Sequence, residues 1–365
     1  MAVKNFETLN TSTDVTTTRT LLHEAIPLTG TIVSGTYFET YLPTGETNVK
    51  NYSHGMFQSV YDYPYLSSSA NHIFDLTIGY ASTSPLSSST NEQNAKKINI
   101  YNTMAQALLG YNVSQSIETF ESDLDLTDDD SQMTEVFFVN FSRLLTKDQV
   151  KKGTFSITLG TGSFAVPFAA QPAGVTLTDL SASDDGGTNP NVNGGEYGLL
   201  YNSPVTSSAV GAVFYQAGVA VITASIFASA SFNETLGEGQ NDHFIWNNAA
   251  MYGITGSWTD LPISASCDAI RRRIYNLSFN NTTELNSTIY FCRAAANKFN
   301  YSGNPTYTTG SKLVVKNVAT DTPLSYITTV GLYSANNELL AVAKLSEPLE
   351  KNPETELTLR VRLDY

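Results

Sequence analysis

Residues 326–365, YITTVGLYSANNELLAVAKLSEPLEKNPETELTLRVRLDY, decide the fold class. Ile327, Thr329, Gly331 and Tyr333 alternate with Thr328, Val330 and Leu332, the period-two spacing of a strand. Asn336-Asn337 supplies residues that tolerate a positive φ, and Leu339 to Leu345 returns as the second arm of a hairpin. After Pro348 and Pro353, the run LTLRVRL puts Leu357, Leu359, Val361 and Leu363 on one face, opposite Thr358, Arg360 and Arg362. This end reads as a packed antiparallel β-unit.

Working back along the chain, short strands and turns dominate, so the expected class is mainly β with a few helices (α+β). Antiparallel, sandwich-like sheets and a C-terminal β-domain are expected. Thr90-Asn-Glu-Gln93 is a capping-box pattern, and Ile98, Tyr101, Ala105 and Leu108 follow at spacings of three and four. The spacing predicts a helix over 90–109, stopped by Gly110. Residues 135–145 read as a strand, Thr146 opens a short helix that ends at Gly153, and residues 154–159 form the next strand. A helix from Ser264 through Arg273 is expected next. Strands 275–279 and 288–294, joined by the loop NNTTELNS, close a hairpin.

The segment from Ala209 to Phe232 carries no charge and is long enough to suggest a membrane span. Gly211, Gly218, Gln216 and its Val, Ile and Thr content favour instead a buried hairpin turning near Gln216-Ala217-Gly218. No membrane partner is expected. Residues 1–20 are polar and Thr-rich and read as an arm, disordered alone or ordered on a neighbour. The expected domains are this arm, a β-rich domain at 21–120 holding the 90–109 helix, a β-rich middle domain at 121–262 with acidic and Gly/Asn loops, and a helix plus β-domain at 263–365.

The chain has 365 residues with 41% hydrophobic and 11% aromatic content, enough for a buried interior, but only 15% charged residues. Such surfaces, poor in Lys and Glu and rich in Tyr, Thr and Asn, suit protein–protein contact. The net charge is −14; residues 121–200 hold twelve acids against four bases and carry more than half of the excess. A field of that sign repels phosphate backbones, so no nucleic-acid partner is expected. Two cysteines cannot make a disulfide framework, and the first residues lack the apolar stretch of a secretory leader.

Asp123, Asp125, Asp128 and Asp130 form the one metal-like cluster. The calcium-loop pattern fails at its sixth and twelfth positions, where Asp128 and Thr134 stand, so a solvated acidic turn is the expected state, with one shared hard cation or an acidic contact for a basic partner surface as the alternatives. His23, His54, His72 and His243 are too scattered for a ligand set, and each reads as structural. No G-x-S-x-G elbow occurs, and Gly160-Thr-Gly162-Ser163 lacks the lysine of a phosphate loop. Interface candidates are Tyr61, Tyr63 and Tyr65, read as alternating on one face of an edge strand, and Arg271, Arg272 and Arg273, whose stems pack against protein and pair with acids within or between subunits. The tyrosines read either as core packing or as an intersubunit aromatic patch.

The C-terminal forty residues, together with FCRAAANKFNYSGNPTY at 291–307 and SVYDYPYLSSSANHIFDLTIGY at 59–80, resemble virion structural proteins of tailed bacteriophages, chiefly those with contractile tails. The ending is similar to β-domains of baseplate, neck and tail-fibre attachment proteins. The resemblance covers most of the chain and is strongest at its ends. It implies a non-enzymatic assembly role in a virion, after synthesis in the host cytoplasm. The implied partners are other virion proteins and further copies of this chain, with no cofactor and no catalytic residue. An adhesin of the tail fibre, a head decoration protein and a virion-borne hydrolase are the alternative readings.

Overall fold

The computed structural model describes residues 6–30, 47–88, 92–112, 114–121, 132–160, 174–179, 193–202, 209–227, 263–271, 273–302, 308–309, 312–313, 320 and 322–365. The chain divides into two compact units, Met1–Leu21 with Glu284–Tyr365, and Leu22–Thr283. The expected boundaries near 120 and 262 are not where this division falls.

The Leu22–Thr283 unit is built on antiparallel strands. In chain order they are β2 (Val49–Asn51), β3 (Gln58–Tyr61), β4 (His72–Tyr80), β5 (Glu135–Phe141), β6 (Gln149–Val150), β7 (Ser156–Gly160), β8 (Gly174–Thr178), β9 (Tyr197–Asn202), β10 (Ala209–Phe214) and β11 (Val219–Thr223). Two longer strands, β1 (Val15–Thr29) and β12 (Ile274–Ala294), cross the boundary between units. The hydrogen-bonded order from β12 is β7-β8-β9-β10-β11-β5-β4-β3-β2, with β6 also on β12. The mainly β, antiparallel class expected from the sequence is the class that forms.

Strands β5, β10 and β11 lie at the middle of this path, and residues 136–139, 211–214 and 219–223 are buried without alternation. That is why their sequences run as unbroken apolar stretches. The β10–β11 hairpin is the buried hairpin expected from the uncharged segment, and Gly218 at its turn has φ +68, a conformation that L side chains rarely adopt. Among the described residues, no helix is long and apolar enough to cross a membrane.

Helix α1 (Glu92–Leu108) buries Ile100, Tyr101, Ala105 and Leu108 and packs on β4. Contact is close at Gly79, where an added Cβ would lie 2.9 Å from the Lys97 carbonyl oxygen and from the Tyr101 backbone nitrogen. The short helix stands earlier than expected. Helix α2 (Arg143–Thr146) is capped by Ser142, ends at Lys147 with φ 55, and is followed by β6 in place of a helix reaching Gly153. Lys147 cannot continue the helical dihedrals, and Val150 pairs with Asn281. Helix α3 (Ile263–Arg271) also packs on β4, with Cys267 Sγ donating to the Leu76 carbonyl at 3.2 Å.

The expected hairpin at 275–294 is instead the single strand β12. Its polar centre finds partners that local reading misses. Asn281 Nδ2 donates to the Leu145 carbonyl at 2.8 Å, Asn281 Oδ1 accepts from Glu24 N at 3.1 Å, and Asp148 N donates to the Thr282 carbonyl. A segment whose backbone and amide groups are satisfied laterally has no need to turn.

In the other unit, β17 (Leu357–Asp364) pairs with β12 from Ala294↔Leu357 to Ser287↔Asp364. Leu357, Leu359, Val361 and Leu363 face inward in the alternation read from the sequence. β15 (Ser325–Tyr333) and β16 (Leu339–Lys351) form the expected hairpin, with Asn337 at φ 62 in its turn, and β13 (Thr308–Thr309) pairs with β14 (Lys312–Leu313). The N-terminal residues are not a free arm. β1 carries the β-branched Val15 and Thr16 to Thr18 and adjoins β12. Phe291 N donates to the Asp14 carbonyl at 2.8 Å, and Arg19–Glu284, Arg293–Asp14 and Lys298–Glu7 ion pairs run alongside. The neighbour on which this segment lies is its own chain.

Candidate functional site

The antiparallel register of β3 against β4 sets Ser59 opposite Asp75 and, after a bulge, Tyr61 opposite His72. Ser59 Oγ donates to Asp75 Oδ1 at 2.5 Å, and His72 Nε2 lies 2.8 Å from the same oxygen. The Tyr61 ring meets His72 edge-on at 5.5 Å, and Tyr65 lies 6.2 Å from Tyr61. Beyond β2, Tyr52 and His54 stack at 5.1 Å, Phe57 touches both rings, and Lys50 Nζ stands 4.7 Å over Tyr52. Tyr52 Oη is 3.3 Å from Ser59 Oγ, which joins the aromatic and polar halves. Burial, then the neighbouring Tyr52 hydroxyl, pushes the Tyr61 phenol above its ordinary range.

The connectivity of this cluster limits its chemistry. In a hydrolytic triad the imidazole sits on the hydroxyl, with the carboxylate behind it. Here the carboxylate is in the middle, so His72 and Ser59 share Asp75 and no base is aimed at the serine. Ser59 itself is buried. What remains is a polar and aromatic surface able to stack and hydrogen-bond a partner.

Of the tyrosine trio, Tyr61 closes β3, while Tyr63 and Tyr65 fall in the bend that follows. The expected alternating edge strand therefore stops at Tyr61, because Pro64 and the Ser67–Pro64 turn redirect the chain. Tyr61 and Tyr65 come together half-buried, and Tyr63 stands exposed. Arg271 and Arg273 are fully buried, so their stems pack against protein as expected. Arg271 Nε donates to Gln58 Oε1 at 3.1 Å and Arg273 Nη1 to the Gly160 carbonyl at 3.0 Å. They fasten the end of α3 to β3 and β7. Arg272, Asp123, Asp125, Asp128 and Asp130 lie outside the described residues. Among the described residues, no group of three or more His, Cys, Asp or Glu side chains could hold a metal ion.

Asp75 and His72 went unread as a pair because three residues apart on a regular strand face opposite ways; the bulge at Val60/Tyr61 is a tertiary event. Asp179 is a second buried polar centre. Its carboxylate accepts from Gly153 N at 2.8 Å, Phe155 N at 2.9 Å and the Tyr215 hydroxyl at 3.0 Å. Burial holds its pKa above the ordinary 3.8 and pushes the Tyr215 phenol up as well. Its partners are structural, and it ties a turn to β8. Comparison with family models, with curated proteins and with solved structures finds no match to this chain.

Proposed function

We propose that this chain is a structural component of a tailed-bacteriophage virion, in the tail baseplate or the neck, acting through protein–protein assembly and carrying out no bond-breaking step. The observation that supports this reading most is the imbalance of the unit formed by Met1–Leu21 and Glu284–Tyr365. Among the described residues, its buried apolar side chains are Ala294 and Val361, while Phe6, Tyr301, Tyr326, Tyr333, Leu339, Leu340, Val342 and Tyr365 stand exposed. A unit of this size that leaves so much apolar surface in water is completed by other subunits. Permanent assemblies bury roughly 2,000 Å² or more per interface, and surfaces low in charge and rich in tyrosine are suited to them.

The test is to purify intact particles, identify their proteins by mass spectrometry and place this chain in an electron-microscopy map. Stoichiometric presence in the tail or neck is expected. Absence from the particle overturns the reading.

A second reading, a receptor-binding or fibre-tip adhesin, is favoured by the half-buried Tyr52, Phe57, Tyr61 and Tyr65 rings with the exposed His54, since rings beside hydroxyl and carboxylate groups suit sugar faces. A glycan array probed with the purified chain separates the two: binding lost on Tyr52→Ala supports the adhesin, and a blank array counts against it.

A further inference from the structure

We propose that the outer face of the β15–β16 hairpin is a self-association surface, on which a second copy of this chain docks across a two-fold axis. The inference rests on the assembly reading and names one surface and one occupant.

The hairpin is a two-stranded sheet, and neither strand pairs with any other described strand. Isolated two-stranded ribbons are marginal in water, and among the described strands none pairs with the long edges of this one. One face carries a continuous apolar patch. The Phe6 and Tyr333 rings meet at 5.0 Å, Tyr333 pairs with Leu339, and Gly331 pairs with Val342. Gly331 leaves room for this arrangement, since a Cβ there would come within 2.9 Å of the Tyr333 ring and 3.3 Å of Leu339 Cδ1. These side chains are 46% (Phe6), 41% (Tyr333), 52% (Leu339), 69% (Leu340) and 50% (Val342) exposed. Together they present on the order of 500 Å² of apolar and aromatic surface, large for a single patch on a monomer. A stable interface buries about 800 Å² on each partner, so the patch supplies more than half and the open strand edge the remainder.

Charge selects the occupant. The unit that holds the hairpin contains ten acids and ten bases, whereas Leu22–Thr283 holds twenty-four acids and ten bases and so carries the whole net charge of −14. Two copies that meet through the neutral unit bring together surfaces without net charge, whereas two acidic units brought face to face repel. A neutral patch also offers no sign by which a strongly charged foreign partner would be selected. A two-fold interface sets the same patch against itself, which a neutral, apolar surface permits without like charges meeting.

The experiment is sedimentation and light scattering on the purified full chain, over concentrations up to about 100 μM, a range that detects even weak association. A dimer is expected. Val342→Lys and Leu340→Glu are each expected to weaken dimerisation at least about tenfold, enough to leave monomer at low micromolar concentration. Leu66→Lys, an exposed position in the other unit, is expected to leave the dimer intact. Circular dichroism and the melting transition report folding of each variant, and if one of the two hairpin variants misfolds the other decides. A wild-type monomer throughout the range, or dimers unchanged by the folded hairpin variants, overturns the inference. Presence of the chain in purified particles is measured separately, so a monomer found in the virion sinks the self-docking surface alone, and a dimer absent from virions sinks the assembly reading.

Discussion

Asp179 shows how a single side chain converts burial into pH dependence. Its carboxylate satisfies two backbone N–H groups and the Tyr215 hydroxyl, yet burial outweighs those bonds and raises its pKa above 3.8. In the unfolded chain the group loses its proton near 3.8, while the folded chain keeps it to higher pH. Across that window the folded state binds more protons, so this residue's contribution to stability falls as pH rises and is greatest below the unfolded value. Asp179→Asn keeps an acceptor without the charge. Its denaturation midpoint, measured from pH 3 to pH 8, is expected to move in the variant's favour relative to the wild type as pH rises, and a difference between the two that does not change with pH would refute the assignment. Gly79 is a second residue-level test. A Cβ there meets backbone atoms of α1, which cannot rotate away, so Gly79→Ala is expected to cost about 1–3 kcal/mol in denaturant unfolding.

At the scale of elements, β12 separates what local pattern carries from what it does not. The hairpins at 209–223 and 325–351, the 92–108 helix and the inward face of β17 all follow periodicities and turn residues that neighbours do not override. NNTTELNS carries every local mark of a loop, and it becomes strand because Leu145, Glu24 and Asp148 satisfy its polar groups from far along the chain. The same distinction explains the candidate site. Tyr61 was legible as a packed or interface aromatic on a strand, but its meeting with His72 depends on a bulge, and the burial of Arg271 and Arg273 depends on where α3 ends. If lateral bonding holds β12 straight, then Asn281→Ala, which removes a buried amide from its part-buried bonds to the Leu145 carbonyl and the Glu24 N–H, is expected to cost about 1–3 kcal/mol. Amide exchange at 280–283 is expected to be slow in the wild type and faster in the variant. Loop-like exchange in the wild type would refute the continuous strand.

Over the whole molecule, stability and charge are divided unequally. The contiguous apolar core, from Leu28 to Phe279, belongs to Leu22–Thr283, and so does all of the net charge. The other unit relies on strand pairing and on exposed ion pairs such as Lys298–Glu7 and Arg362–Asp364, which are worth about 0–1 kcal/mol each. Its best-enclosed polar group is Lys351, whose ammonium donates to the Ala296 carbonyl at 3.1 Å, Asn300 Oδ1 at 2.6 Å and the Asn352 carbonyl at 2.8 Å. A unit held this way opens locally at lower free energy than one built around a large core. Hydrogen exchange on the free chain is therefore expected to show β15, β16 and β17 opening well before β5, β10 and β11. Limited proteolysis is expected to cut within β15, β16 and β17 before it cuts within β5, β10 or β11. Raising the salt concentration relieves self-repulsion in the acidic unit and screens the exposed ion pairs of the neutral one, so the gap between the two is expected to widen with ionic strength. Uniform protection across both units, insensitive to salt, would mean that the hairpin unit is complete by itself and has no need of a partner.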